Sequence, residues 1–245
     1  MDSTTSPQGR VYLVGAGPGA PELFTLQAQA VLRQAQVLVH DALVAPEVLT
    51  WLPPDCEPIN VGKRGGQPST PQRDIDRLLV SLCRQGRVVV RLKSGDPFIF
   101  GRTSSEIQAL KQAGCAYELL PGLSSALVAP LLAGIPLTDG ALSSGFAVVT
   151  AHNPDLLDWP ALARMPTLVI LMGGRALGEI CRQLIDHGKR PDTPVAIVRW
   201  ASRPEQQTWT GTLLTIERTT QGLTLSPAVI IVGEVVGLRQ YLFSQ

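Results

Sequence analysis

Residues 88–102 read VVVRLKSGDPFIFGR and place an apolar strand directly before a glycine turn. The β-branched run at its start is typical of buried strands, and Gly95 and Pro97 end that run abruptly. Loops at strand ends are where α/β proteins bind ligands, so the turn is a candidate binding segment in which Phe98 and Phe100 could stack on a flat ligand. An ordinary strand-to-helix connection with core aromatics explains the same composition, and both interpretations stay open.

Strands and helices alternate on both sides of this segment. Apolar runs predict further strands at 11–14, 37–39, 57–61 and 117–120. Helical patterns predict helices at 22–33, 104–112 and 124–132, and another that Thr70 caps with Pro71 at its first position. The alternation predicts an α/β fold with parallel strand pairs.

A segment rich in glycine and proline, from Gly134 to Gly145, interrupts the pattern and predicts a domain boundary. We expect a flexible tail at 1–9, an N-terminal α/β domain at 10–134 and a C-terminal α/β domain at 144–245. The second domain has predicted strands at 146–150, 167–171, 195–198, 207–210 and 228–232, and its clearest helix at 175–187. A cleft between two such domains is the expected ligand site.

Composition narrows the class of protein. The chain has 245 residues and a formal net charge of +1, and no run approaches the about 18 apolar residues of a membrane span. Its first residues lack the pattern of a signal peptide, so we expect a soluble cytoplasmic protein with no membrane partner. The four cysteines never fall in a two-residue spacing and the three histidines are scattered, so no metal site is predicted.

Positive charge is concentrated between Val61 and Arg102, a segment with nine basic residues and three acidic ones. Part of this excess belongs to a solvated helix face. Lys63, Arg64, Lys93 and Arg102 instead lie beside glycines near predicted strand ends, where they could bind an anionic ligand. Nucleic acid is disfavoured as that ligand, because the whole chain is nearly neutral and lacks a basic aromatic platform.

The turn at 15–20, GAGPGA, follows the first predicted strand and fits the G-x-G-x-x-[G/A] dinucleotide fingerprint. Two prolines weaken that interpretation. Pro18 removes an N–H that would face a pyrophosphate, and Pro21 is expected to delay the helix beyond the glycines. A nicotinamide oxidoreductase is therefore the last of our hypotheses, and a tight turn without any ligand contact also stays open.

Six segments together resemble a known family, the uroporphyrinogen-III C-methyltransferases among the tetrapyrrole methylases. They lie in matching order at 11–19, 40–44, 61–64, 91–102, 121–126 and 134–138. The resemblance implies two α/β domains flanking a cleft, a fold distinct from the Rossmann-type methyltransferases, and a homodimer. It also implies transfer of two methyl groups from S-adenosylmethionine to adjacent rings of uroporphyrinogen III. The products would be S-adenosylhomocysteine and precorrin-2, which leads to sirohaem and cobalamin.

The resemblance also implies roles for single residues. It assigns to the cofactor Pro18, Ser94, Gly95, Asp96, Ile99, Ser124, Ser125, Met172 and Ala201. Asp41 matches the proposed proton acceptor and Lys63 the proposed donor, while Arg64 and Arg102 would bind substrate carboxylates. Asp41 could equally be a structural turn residue, and an ordinary lysine pKa near 10 suits Lys63 better to binding carboxylates. The two phenylalanines of the turn are then expected to serve packing.

Five departures from the family pattern stand out. Ser94 replaces a glycine and adds a side chain beside the cofactor. The other four concern the substrate: Ala42 replaces an arginine, Thr103 a glycine and Ser105 a glutamate, and Asp139-Gly140 replaces His-Arg. Two alternatives to the implied reaction therefore stay open: a methylase of a later precorrin, and a homologue that binds S-adenosylmethionine or tetrapyrrole without turnover.

Overall fold

The computed structural model of the chain describes residues 9–62 and 70–243, so Lys63 and Arg64 lie outside the described residues. The chain divides into two compact units, Met1–Ser124 and Ser125–Gln245. Each unit is built on a five-stranded sheet with helices against it. The predicted α/β class is confirmed for both.

The sheet of the first unit is entirely parallel. Its strands are β1 (Arg10–Gly15), β2 (Val37–His40), β3 (Glu57–Asn60), β4 (Val88–Lys93) and β5 (Ala116–Leu120). They lie in the order β3-β2-β4-β1-β5, and every neighbouring pair is parallel. This confirms the parallel pairs that the alternation of strands and helices predicts.

Helices cover both faces of this sheet. They are α1 (Leu26–Leu32), α2 (Gln72–Arg84) and α3 (Thr103–Gln112), with 3-10 turns at Pro21–Leu23 and Pro46–Trp51. Leu32 of α1 packs with Val90 and Leu92 of β4 on one face. Leu79 of α2 and Leu110 of α3 pack on the other face. Since successive strand residues point to opposite faces, Arg91 and Lys93 face the α2 and α3 side with Val89.

Helices α1 and α2 both begin later than predicted. A 3-10 turn takes up Pro21–Leu23, and α1 starts only at Leu26, where the Thr25 side chain accepts the Ala28 N–H at 3.1 Å. The predicted cap of α2 is displaced by one residue, because the helix starts at Gln72 with Pro71 in the N-cap position and no side-chain cap. The Thr25 cap fixes the start of α1, and the apolar pattern alone does not locate such a cap.

The sheet of the second unit is mixed. Its strands are β6 (Phe146–Thr150), β7 (Thr167–Leu171), β8 (Pro194–Arg199), β9 (Gln207–Thr212) and β10 (Ala228–Gly233), in the order β6-β7-β10-β8-β9. Only β6 and β7 run parallel among these neighbouring strands. The helices are α4 (Ser125–Leu132), α5 (Trp159–Ala163), α6 (Leu177–Asp186), α7 (Ile216–Thr219) and α8 (Arg239–Leu242), with 3-10 turns at Pro154–Leu156 and Glu234–Leu238. All five predicted strands are present, and α6 matches the predicted helix.

Helix α4 packs in the second unit. Ala126 and Ala129 lie in one apolar cluster with Val169 and Ile231 of the second sheet. The predicted first domain, 10–134, includes this helix. The structure groups the helix with the residues that follow it, and the domain bounds given above remain predictions.

Within the ranges 9–62 and 70–243, no helix is long and apolar enough to cross a membrane.

Candidate functional site

The predicted site residues of the first unit follow the carboxyl ends of its strands. Pro18 follows β1, Asp41 follows β2, the turn Ser94–Asp96 follows β4, and Ser124 comes after β5. Because all five strands are parallel, their carboxyl ends lie along one edge of the sheet. The sheet therefore brings to one edge residues that are far apart in sequence.

Between β1 and β4, the chain connections at this edge change from one face of the sheet to the other. β1 and β4 are neighbours, with Gly15 opposite Lys93. The chain leaves β1 toward the face that α1 covers, and it leaves β4 toward the face that α3 covers. In open α/β sheets, ligands bind outside the carboxyl ends at such a switch point.

The turns after β1 and β4 are joined by their main chains. The Gly17 N–H donates to Gly95 O at 3.2 Å, the Gly95 N–H donates to Gly17 O at 2.8 Å, and the Ala16 N–H donates to Lys93 O at 2.7 Å. Gly17 and Gly95 have φ of 71° and 73°, a conformation that other residues rarely adopt. The sequence singled out both turns, and the structure binds them to each other.

A third turn meets them through glycine. A Cβ built on Gly122 would lie 2.3 Å from Gly95 O and 2.6 Å from Gly15 Cα. A Cβ built on Gly15 would lie 2.5 Å from Gly122 Cα. We call the mutual approach of Gly15, Gly95 and Gly122 the glycine contact. It leaves no room for a side chain at Gly15 or Gly122.

Asp96 ties the same turns together with its side chain. Its Oδ1 accepts the Phe98 N–H at 2.9 Å, and its Oδ2 accepts the Gly122 N–H at 3.3 Å. The carboxylate thus holds its own turn closed and links it to the loop after β5. Hydrogen bonds to a charged acceptor are stronger than neutral ones, so Asp96 fixes the shape of this edge.

Ser94 has an unused hydroxyl. Its backbone N–H donates to Asp41 Oδ2 at 3.2 Å, whereas its buried Oγ has no hydrogen-bond partner among the described residues. A buried hydroxyl without a partner is uncommon in folded proteins and calls for a partner from elsewhere.

Asp41 uses both carboxylate oxygens. Oδ2 accepts from Ser94, and Oδ1 accepts from Arg91 Nη2 at 2.6 Å. The side chain is 31% exposed.

A buried cluster of charges lies beneath this edge. Arg91, Lys93 and Glu106 have side chains that are 3%, 2% and 0% exposed. Glu106 accepts from Arg91 Nε at 2.9 Å and from Lys93 Nζ at 2.8 Å on both oxygens. The expectation that Lys93 binds an anionic ligand is therefore wrong, since its ammonium is paired inside the core.

Burial and the neighbouring charges have opposing effects on the pKa values of Arg91 and Lys93. Burial opposes the charge of Arg91, but Asp41 and Glu106 outweigh it and raise the arginine pKa. Burial and the Arg91 charge lower the pKa of Lys93, and Glu106 offsets this only in part. Glu106 and the pairing of Arg91 are not among the residues predicted from the sequence. The alternation along β4 was the available signal, because it places both cations on the face that receives α3.

The loop from Phe98 to Arg102 is exposed. Phe98 is 61% and Phe100 43% exposed, so the expectation that these rings serve packing is wrong. Phe100 and Arg102 have φ of 53° and 56°, a conformation that is uncommon for residues other than glycine. The Thr103 hydroxyl donates to Pro97 O and closes the loop at its base. Ile99, predicted to contact the cofactor, and Arg102 both extend from this loop into solvent.

The dinucleotide fingerprint lacks its helix. After Gly19 the chain makes the 3-10 turn, and α1 does not begin until Leu26. A pyrophosphate site needs a helix N-terminus directly behind the glycines. The delay that Pro21 predicts is confirmed.

The remaining predicted cofactor residues belong to the second unit. Ser125 is the first residue of α4, next to Ser124 in the chain. Met172 follows β7 with φ of 57° and is exposed, and Ala201 is buried after β8. Met172 and Ala201 belong to the second unit, whereas the glycine contact is formed within the first.

The described part of the chain contains no group of three histidine, cysteine, aspartate or glutamate side chains that could hold a metal ion.

Comparison with known proteins finds a family model and relatives that agree with each other. The family model described as Tetrapyrrole (Corrin/Porphyrin) Methylases matches residues 10–217. A uroporphyrinogen-III C-methyltransferase of Synechococcus elongatus is 57% identical over 95% of this chain and 96% of its own length. A siroheme synthase of Photorhabdus laumondii is 46% identical over 96% of this chain but 51% of its own length, so the chain spans about half of that relative.

A solved structure has the same fold. The uroporphyrin-III C-methyltransferase of Thermus thermophilus, complexed with S-adenosylhomocysteine, has a TM-score of 0.82 and 39% identity. The alignment covers 94% of this chain and 99% of that one. The match of the family model over most of the sequence, together with these relatives, shows that the chain belongs to the tetrapyrrole methylases.

Proposed function

We propose that this chain methylates uroporphyrinogen III twice with S-adenosylmethionine and forms precorrin-2 for sirohaem synthesis. The observation that carries the proposal is 57% identity, over almost the full length of both chains, to a uroporphyrinogen-III C-methyltransferase. The complex of a structural relative with S-adenosylhomocysteine supports the methyl donor. Supply of the product to cobalamin synthesis is part of the same proposal.

The described residues fit the methyl donor. The glycine contact brings main chain rather than side chains to the sheet edge, and the unpartnered Ser94 hydroxyl lies beside it. S-adenosylmethionine supplies an electrophilic methyl group on a sulfonium when bound. We propose that it is held by Pro18, Ser94, Gly95, Asp96, Ile99, Ser124, Ser125, Met172 and Ala201. The task of these residues is alignment, since a carbon nucleophile needs the methyl group in line and water excluded.

Proton removal is the second task of the chain. Methylation at a ring carbon leaves a proton to be removed, and a carboxylate at the sheet edge is a suitable acceptor. We propose Asp41 for this role, because its side chain is partly exposed and firmly held. Lys63, whose structure is outside the described residues, is proposed as the donor or as a cation for substrate carboxylates, and Arg64 as a further such cation.

Incubation of the purified chain with S-adenosylmethionine and enzymatically prepared uroporphyrinogen III is expected to give a product with two added methyl groups. This product is heavier by two CH2 units, because a proton leaves with each transfer. Mass spectrometry of the tetrapyrrole measures this directly. Absence of methyl incorporation would refute the proposal. Methylation of other precorrins, but not of uroporphyrinogen III, would assign the chain to a later step.

Arg102→Ala is expected to raise the KM for uroporphyrinogen III about tenfold, since one charge-assisted hydrogen bond to a carboxylate is lost. The KM for S-adenosylmethionine should stay within about twofold, because Arg102 is exposed on the loop after the cofactor turn. Steady-state kinetics with each substrate varied in turn measures both. Arg84→Ala, an exposed cation at the end of α2, is the matched control. An equal effect of Arg102→Ala on both KM values would contradict this division of roles.

We also propose a homodimer in the cytoplasm. Leu127 and Leu131 lie one turn apart on α4 and are both exposed, which gives an apolar strip that a second copy could cover.

A further inference from the structure

A path of charged hydrogen bonds connects the core of the first unit to the proposed cofactor turn. It begins at Glu106 of α3, whose carboxylate is fully buried. Arg91 Nε donates to Glu106 Oε1 at 2.9 Å, and Arg91 Nη2 donates to Asp41 Oδ1 at 2.6 Å. Asp41 Oδ2 then accepts the Ser94 N–H at 3.2 Å. Three side chains from different elements thus lead to one main-chain amide of the turn.

The geometry of Arg91 makes this path stiff. A guanidinium is planar and presents its donors in a fixed fork. Arg91 uses the Nε side for Glu106 and an Nη for Asp41, and it also donates to Leu92 O at 3.2 Å. Rotation of the guanidinium to improve one contact would lengthen another. The position of Asp41 therefore depends on whether Glu106 holds the far side of Arg91.

Lys93 completes the charge balance without joining the path. Its Nζ contacts both oxygens of Glu106, and no contact between Nζ and the turn is found among the described residues. Two cations and two carboxylates share the cluster, so their formal charges balance. A buried ion is tolerated only with such partners, because its desolvation is costly.

We propose that Glu106 is a positioning residue for the methyl-donor site. By holding Arg91, it fixes Asp41 and the Ser94 amide, and so sets the geometry of the turn Ser94–Asp96. The inference rests on the proposed function, because it takes this turn to be where S-adenosylmethionine binds. Glu106 itself is buried twelve residues after Ser94 in the sequence and need not touch either substrate.

A purely structural role makes a different prediction. If the cluster only stabilised the fold, loss of Glu106 would lower the melting temperature and leave the affinity of the folded protein unchanged. The two roles are therefore separated by the dissociation constant for S-adenosylhomocysteine, measured by calorimetry well below the melting temperature.

Glu106→Gln is expected to bind S-adenosylhomocysteine about tenfold more weakly than the unaltered chain, because the charged contact that orients Arg91 is lost. Leu110→Ala is the matched control. Leu110 is fully buried on the same helix, four residues on, and packs in the apolar cluster against α2. This control should lower the melting temperature with no change in affinity.

A second variant covers the case in which Glu106→Gln does not fold. Lys93→Met combined with Glu106→Leu removes one cation and one carboxylate together, and it leaves Arg91 paired with Asp41. Replacing a buried ion pair by apolar side chains is often neutral for stability. The double variant should show a loss of affinity similar to that expected for Glu106→Gln.

A double-mutant cycle tests the path itself. Asp41→Asn removes the charge at the other end, and Asp41→Asn combined with Glu106→Gln should bind no more weakly than the weaker single variant. Independent, additive losses would overturn the path.

Unchanged affinity in the variants of Glu106, or an equal loss in Leu110→Ala, would overturn the positioning role alone. Failure of the unaltered chain to bind S-adenosylhomocysteine would instead refute the proposed function, and this inference with it.

Discussion

Gly122→Ala is expected to abolish measurable binding of S-adenosylhomocysteine and, with it, methyl transfer. The new Cβ would lie 2.3 Å from Gly95 O and 2.6 Å from Gly15 Cα, distances at which the main chain must move. Both contacted atoms belong to backbone, so no side chain can rotate away to relieve the clash. The displaced turns are those that carry the proposed methyl-donor residues. Calorimetry measures the binding, and thermal unfolding reports the accompanying loss of stability.

Gly237→Ala is the matched control for this substitution. Gly237 lies in the 3-10 turn Glu234–Leu238, and a Cβ there would meet no atom within 4 Å. The control should bind S-adenosylhomocysteine as the unaltered chain does. Normal binding by Gly122→Ala would mean that the glycine contact is not part of the site.

Asp96→Ala should weaken the binding of S-adenosylhomocysteine roughly 100-fold, because two hydrogen bonds to a charged acceptor are lost together. The carboxylate holds the Phe98 N–H and the Gly122 N–H, and without it the turn after β4 separates from the loop after β5. Asp96→Asn keeps one oxygen acceptor and should show an intermediate loss. The dissociation constants of the three proteins are measured by calorimetry.

Asp139→Ala gives a matched control in the second unit. Asp139 Oδ1 also accepts two backbone N–H groups, from Ala141 and Leu142, each at 2.9 Å. Its removal should cost local stability and leave the affinity for S-adenosylhomocysteine unchanged. A comparable loss of affinity in both variants would show that Asp96 acts through general stability.

Strand positions were predictable because burial on both faces leaves a clear apolar run. The run before Arg91 and the run at 167–171 matched buried strands closely. The ends of helices were less predictable, since the proline-led turn before Leu26 and the N-cap at Pro71 depend on local hydrogen bonds. The mixed directions of the second sheet leave no trace in single apolar runs, which read alike in parallel and antiparallel strands.

The turns of the site were also predictable, since glycine and proline mark them. The partners of charged side chains were not. The sequence predicts Lys93 as a loop cation that could bind an anion, yet it is the last residue of β4 and is buried in the core. One-residue precision at a strand end decides on which face a side chain lies. The partner of Ser105 was also not predictable. Its hydroxyl donates to Asp76 at 2.5 Å, and only the fold brings these two residues together.

The glycine contact has a consequence for how this protein can change. At the glycine contact the sheet edge is formed by main chain, with no room for added atoms at Gly15 and Gly122. In the neighbouring loop, Phe98, Phe100 and Arg102 are exposed to solvent. If Arg102 binds the substrate as proposed, substitutions at Phe98, Phe100 and Arg102 would alter which ring system is accepted and leave the glycine contact unchanged. A scaffold of this kind can acquire new acceptors while its donor chemistry stays the same.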